Sequence, residues 1–169
     1  MKIVLIVVGV LVLLVLCVVV TGAMLPNHHV ASRCAVFKAA PERLFALIAG
    51  SQEWRPDVKR CELITLDGKQ FQRETSKHGE TILYELQNSR PPRSIERRIA
   101  TENLPYAGTW SFALTPESGG TRVRITEDGE VYNPIFRFVS KFILGQTATQ
   151  DAYLKAMGTA TGEEVRPEN

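Results

Sequence analysis

The run from Ile3 to Val20 carries no charged side chain and a single glycine, Gly9. As a helix, about 18 residues at roughly 1.5 Å each span about 27 Å, close to the hydrocarbon thickness of a bilayer. Thr21 to Leu25 add a further turn before Pro26 stops the helix. Val, Leu and Ile occur all round it with no amphipathic period, so it has no polar face to present to water, and its stable environment is lipid. A cleaved signal peptide is the competing reading, since Lys2 gives a charged start and Thr21-Gly22-Ala23 resembles a cleavage site. The apolar stretch is longer than the roughly 7–15 residues of cleavable signals, which favours a retained anchor. Cys17 follows Leu16, too bulky for a bacterial lipoprotein signal, and reads as a plain membrane-facing cysteine. Lys2 before the span and Arg33, Lys38 and Arg43 after it pull the topology in opposite directions, so both orientations fit the charges.

The remainder of the 169 residues is long enough for one ordinary domain and too short for two. Its net charge is small: the chain's +2 becomes about +1 once Lys2 is assigned to the anchor. A strong field for nucleic acid is therefore missing, and the cluster of Arg90, Arg93, Arg97 and Arg98 reads as a solvated strand edge. Cys34 and Cys61 are too widely spaced for a zinc pattern. His28 and His29 fall in the juxtamembrane linker and His78 in a turn, so neither a metal site nor a cofactor is expected.

The division expected is an anchor over 1–25, a linker over 26–29, a domain over 30–162 and a polar tail over 163–169. A first strand runs from about Val30 to Lys38. Pro41 then opens a helix with Leu44, Phe45, Leu47 and Ile48 as its apolar face, ended by Gly50. Short extended runs follow over Val58–Leu66, Lys69–Ser76, Thr81–Gln87, Arg93–Thr101, Tyr106–Leu114 and Thr121–Glu127. Asp67-Gly68 and Gly119-Gly120 separate two pairs of them as hairpin signals. Asn133-Pro134 reads as an N-cap and first-turn proline for a long helix from Ile135 to Met157, which Gly145 bends.

The order is strand, short helices, six antiparallel strands and a long C-terminal helix. The block from Ala40 to Ile48, followed by Trp54-Arg55-Pro56-Asp57-Val58, resembles the opening of the START-like helix-grip superfamily. Gly108-Thr109-Trp110 and the block from Thr126 to Phe136 are similar to its bacterial SRPBCC, or polyketide cyclase/dehydrase-like, members. The resemblance covers about Val30 to Gly158. It implies an α+β helix-grip fold, in which a curved antiparallel sheet of about seven strands wraps a long C-terminal helix, joined here to one transmembrane helix. It also implies a cavity between sheet and helix, and it implies no particular activity. In this fold the first two strands are expected to be neighbours, which would bring Cys34 near Cys61 and allow a disulfide if the domain is exported. The expected location is single-pass in a membrane, the bacterial inner membrane, with the bilayer contacted through residues 3–25.

Alternation assigns inward faces to Ile82, Tyr84 and Leu86, to Ile95, Arg97 and Ile99, to Trp110, Phe112 and Leu114, and to Val123, Ile125 and Glu127. Arg97 and Glu127 then orient a ligand head group, or else pair or return to solvent, which is the commoner fate of such residues. Trp54, Tyr84, Trp110, Phe112, Phe136 and Tyr153 are the candidate cavity walls. Small-molecule sites are mostly apolar with a few placed polar groups, and this set fits that description. Catalysis has less support, because no nucleophile–base pair or phosphate loop is evident; Glu127 or Tyr84 would be the acid–base group of a cyclase. Three functions compete. The first is a tethered binder of a lipid or other hydrophobic small molecule. The second is a non-catalytic membrane protein working through a protein partner. The third is a cyclase/aromatase-like enzyme. A closed pocket with an exposed apolar patch favours the partner reading, and charged groups inside favour the enzyme.

Overall fold

The computed structural model describes residues 2–169, apart from the side chain of Leu144. Helix α1 (Lys2–Met24) is 23 residues long, long and apolar enough to cross a membrane. Strand β1 (His28–Phe37) follows after only three residues, two earlier than the sequence pattern places it. Then come α2 (Pro41–Ala49), β2 (Val58–Leu66), β3 (Lys69–Ser76), β4 (Thr81–Arg90), β5 (Ser94–Ile99), β6 (Tyr106–Glu117) and β7 (Gly120–Val131). The chain closes with α3 (Pro134–Val139), a π-helical turn (Ser140–Leu144) and α4 (Ala148–Thr161).

All seven strands form one antiparallel sheet in the order β1-β7-β6-β5-β4-β3-β2. The meander from β2 to β7 pairs each strand with the next, and β1 is added last, beside β7. The expectation that the first two strands are neighbours therefore fails, because β1 and β2 occupy opposite edges. Cys34 and Cys61 are accordingly free thiols on opposite sides of the sheet order rather than a disulfide pair.

The apolar face of α2 (Leu44, Phe45, Ile48) and that of α4 (Tyr153, Leu154, Met157) pack on the concave side of the sheet. There they meet Phe37, Ile95, Phe112, Leu114, Val123 and Ile125 in one continuous core. Burying side chains of this size is worth about 1.5–3 kcal/mol each, which makes this cluster the main source of stability.

The C-terminal helix is shorter than the run from Ile135 to Met157 predicts. Gly145 adopts φ +81°, outside the helical region, and ends the π turn. Only the part carrying Tyr153 and Met157 reaches the core, while Ile135, Phe136 and Phe142 face outward. α3 instead packs alongside α1, a partner that the core-facing pattern does not anticipate.

Residues 163–169, expected as a polar tail, fold back onto the sheet. The Glu163 carboxylate accepts bonds from the Lys38 and Ala39 N–H groups, and Val165 is buried. Glu168 exchanges two backbone bonds with Cys34, of 2.9 and 2.8 Å.

Candidate functional site

Two neighbouring rungs of the sheet define the concave face. One aligns Ala31, Glu127, Trp110, Arg97, Leu86 and Gln70 across six strands. The other, two residues further from α1 along β1, aligns Arg33, Ile125, Phe112 and Ile95. Strand alternation puts Trp110, Arg97, Leu86 and Glu127 on one face, and the register joins them in one row.

Arg97, 4% exposed, lies among apolar neighbours but is not alone. Its Nη2 donates to Glu74 Oε1, and Arg55 Nη1 donates to Glu74 Oε2 at 3.0 Å. Glu74 is thus a buried carboxylate held between two guanidinium groups. Charges taken out of water are tolerated only when paired in this way. The Arg97 guanidinium also stacks 4.4 Å from the Tyr84 ring centroid, and that of Arg55 lies 5.3 Å from the Tyr153 ring. Arg97 Nε has no partner among the described residues.

Next to this triad stands a node of amides at the end of α2, where helix carbonyls lack partners of their own. Gln52 Nε2 donates to the carbonyls of Leu47 and Ile48, at 2.8 and 3.0 Å. Gln72 Nε2 reaches from β3 to Ile48 and Gly50, at 2.9 and 2.7 Å, and Trp54 Nε1 donates to Leu47 at 3.1 Å. Tyr153 on α4 donates its hydroxyl to Gln52 Oε1 at 2.9 Å. The Tyr153 ring packs 5.2 Å from Trp54, 5.7 Å from Trp110 and 5.4 Å from Phe112, so it fills the centre of the grip. Burial pushes the Tyr84 and Tyr153 phenols up to about 12, so both are neutral hydrogen-bonding groups near pH 7.

On the other side of Trp110 the face becomes polar. Glu127, half-buried, has His29 Nε2 at 3.6 Å from Oε1 and accepts from Gln150 Nε2 at 3.4 Å. At 3.6 Å the histidine and carboxylate form an ion pair when the imidazole is protonated, not a tight hydrogen bond. Gly129 makes room for them: a Cβ there would stand 2.7 Å from the His29 ring and 3.2 Å from Glu127 Oε1. Gln150 is fully buried, donates to the Ala31 carbonyl at 3.1 Å, and has an Oε1 without a partner among the described residues. Together with the Arg33–Asp151 bond of 2.6 Å, this polar set ties the start of α4 to β1.

The predicted wall residues Trp54, Tyr84, Trp110, Phe112 and Tyr153 and the predicted polar residues Arg97 and Glu127 thus converge on the concave face. Phe136 does not, because it is exposed on α3, outside the grip. Sequence reading misses Glu74, Gln72, Gln52, Arg55, Gln150 and His29. For His29 a signal exists, since it shares strand parity with Ala35 and Phe37 once β1 begins at His28. Two recesses also lie outside the grip. One of about 70 Å³ sits between the end of α1, β1 and the π turn; one of about 530 Å³ lies between α4 and the tail.

Residues 28–159 match the protein family described as polyketide cyclase/dehydrase and lipid transport. A START superfamily protein from Mycobacterium smegmatis has a similar structure, with a TM-score of 0.62 at 15% identity over 79% of this chain and 97% of that one. A conserved protein from Geobacillus kaustophilus gives 0.60 at 16% identity over 82% and 100%. The di-domain ARO/CYC StfQ of the steffimycin biosynthetic pathway gives 0.61 at 13% identity over 80% of this chain and 51% of its own. No curated protein sequence matches. At these identities the solved structures speak for the fold, and the family match speaks for descent: the chain belongs to the polyketide cyclase/dehydrase and lipid transport family, on a START-like helix-grip fold.

Proposed function

We propose that the chain is a membrane-anchored helix-grip domain that takes up a lipid or other hydrophobic small molecule between its sheet and α4. The observation that carries this reading is the change in the concave face toward α1. Phe112, Leu114, Val123 and Ile125 are sealed under the helices, whereas Tyr84, Trp110 and Glu127 are only half-buried. The less covered half begins beside His29, five residues beyond the end of α1. A grip whose looser end adjoins a lipid-soluble helix has its ligand supply at hand. The cavity that the resemblance implies is closed here, because Tyr153 fills the centre, which counts toward the partner reading. Uptake requires rotation of Tyr153 or a displacement of α4, whose start is fixed to the sheet by the polar contacts of Asp151 and Gln150.

The test is photo-crosslinking of the full chain in vesicles containing a diazirine-bearing fatty acid, with adducts mapped by mass spectrometry. Adducts on Trp110, Tyr84 or Tyr153, reduced in Trp110→Ala, are expected. Adducts confined to residues 2–25 would overturn ligand binding and leave only the anchor.

A cyclase-like second reading is favoured by the polar interior, where His29–Glu127 is an acid–base pair and Tyr84 a neutral donor. A linear poly-β-ketone cyclised by the wild type but not by Glu127→Gln supports it. Equal product from both, or none from either, counts against it.

A further inference from the structure

α3 and the π turn carry an unusual set of exposed side chains. Phe136 is 55% exposed, Phe142 56% and Ile143 67%, with Ile135 close behind and Tyr132 exposed just before α3. None of them serves the core, and in water such a group is a liability on a small domain. Their position is specific. α3 lies against the last two turns of α1, where Val18, Val19 and Thr21 are half-buried and Gly22 is buried. The approach is close enough that a Cβ on Gly22 would stand 1.9 Å from the Pro134 carbonyl oxygen. Val18 lies about 9 Å below the end of α1 at about 1.5 Å per residue. Surface-lying helices bury their apolar side to about 5–10 Å. If α1 spans the membrane, α3 is therefore at the depth of the headgroup–acyl boundary.

The polar groups of the segment suit that depth. Asn133 Oδ1 accepts from the Ile135 and Phe136 N–H groups, at 2.9 and 3.3 Å, which satisfies the start of α3 without water. Arg137 turns back to donate to the Leu25 carbonyl at 2.6 Å, latching α3 to the end of α1. Lys141 lies 5.7 Å from the Phe142 ring, an amphipathic pairing typical of side chains that reach from apolar surface to headgroups.

We infer that residues 134–143 form a second membrane contact, an interfacial element whose occupant is the lipid bilayer, which Phe136, Phe142 and Ile143 enter beside α1. The inference rests on the reading of α1 as a membrane anchor. It adds that the domain is held at two points in a fixed orientation rather than swinging on a tether.

The test uses the full chain with Cys17→Ser, reconstituted in phosphatidylcholine–phosphatidylglycerol vesicles, with an environment-sensitive nitrobenzoxadiazole label on a single introduced cysteine. Cys34 and Cys61 are buried. Labels at Leu11→Cys, Ile143→Cys and Thr159→Cys are compared with and without doxyl-labelled lipid. Loss of fluorescence at both 11 and 143, but not at 159, is expected, and Phe142→Asp should diminish the loss at 143 alone. Quenching at 11 without quenching at 143 overturns the interfacial element and leaves the anchor, as does protection of 143 by a protein neighbour instead of lipid. Quenching at neither site overturns both.

Discussion

The two halves of the concave face are made by the same strands, one pleat apart, and they are built to different rules. In the row of Ile95, Phe112 and Ile125 these three side chains are apolar and sealed, and only Arg33 at its β1 end is charged, paired with Asp151. In the adjacent row Arg97, Trp110 and Glu127 stand side by side, and each of the two charged groups finds its partners outside the row: Glu74 for Arg97, His29 and Gln150 for Glu127. The sealed half is furthest from α1 and the polar half nearest to it. The contrast shows how a single sheet can carry a sealed apolar row and a polar row side by side, without needing a second domain.

Substitution can break this contrast. The largest expected effect is Phe112→Ala, which should cost about 3–5 kcal/mol of stability in denaturant unfolding of the full chain in detergent. Trp110→Ala, at a half-buried site, should cost less than half of that; an equal loss would mean that the two rows are one core. Glu74→Gln comes next. It leaves the buried Arg97 guanidinium without its anion, while half-buried Arg55 keeps Asp57, and should destabilise by about 3 kcal/mol, measured in the same way. Tyr153→Phe removes only the hydroxyl bonded to Gln52 and should cost about 1–2 kcal/mol, while quickening crosslinking by the fatty-acid probe if Tyr153 gates the grip.

The smallest effect is in alkali. Tyr84 and Tyr153 have folded values pushed up to about 12 from an ordinary 10, so the unfolded chain loses these protons first. Their contribution to stability is complete below pH 10 and is lost as pH rises toward about 12. All four tyrosines are raised, Tyr106 first by burial and Tyr132 first by its bond to Glu130. Absorbance titration of tyrosinate should therefore show Tyr84 and Tyr153 ionising last, and Tyr153→Phe should remove one of these two.

Most of the fold is visible in the sequence because its causes are local. Alternation along β6 marks Trp110, Phe112 and Leu114, and Pro41 with the Leu44–Ile48 stripe marks α2. The polar half of the site is less legible for a physical reason. β3 reads as polar apart from Phe71, which has the opposite parity, and Gln72 and Glu74 are buried only because carbonyls at the end of α2 and guanidinium groups from elsewhere in the chain need them. No periodicity within β3 records those partners. The same holds for the C-terminal helix. Ile135 and Phe142 look like core positions in a helix judged by itself, but the neighbour of α3 is α1, more than a hundred residues earlier.

The position of β1 has a consequence for how the molecule is made. Cys34 faces Arg124 in β7, about 90 residues downstream, and the outer edge of β1 is covered only when Glu168 arrives. At about 5–20 residues per second, the ribosome delivers that partner on the order of 5–20 s after β1 itself. Throughout that interval a ten-residue strand waits unpaired next to α1. Polar and charged side chains such as its histidines, Ser32 and Arg33 are of the kind that discourages edge-to-edge strand pairing during such an interval.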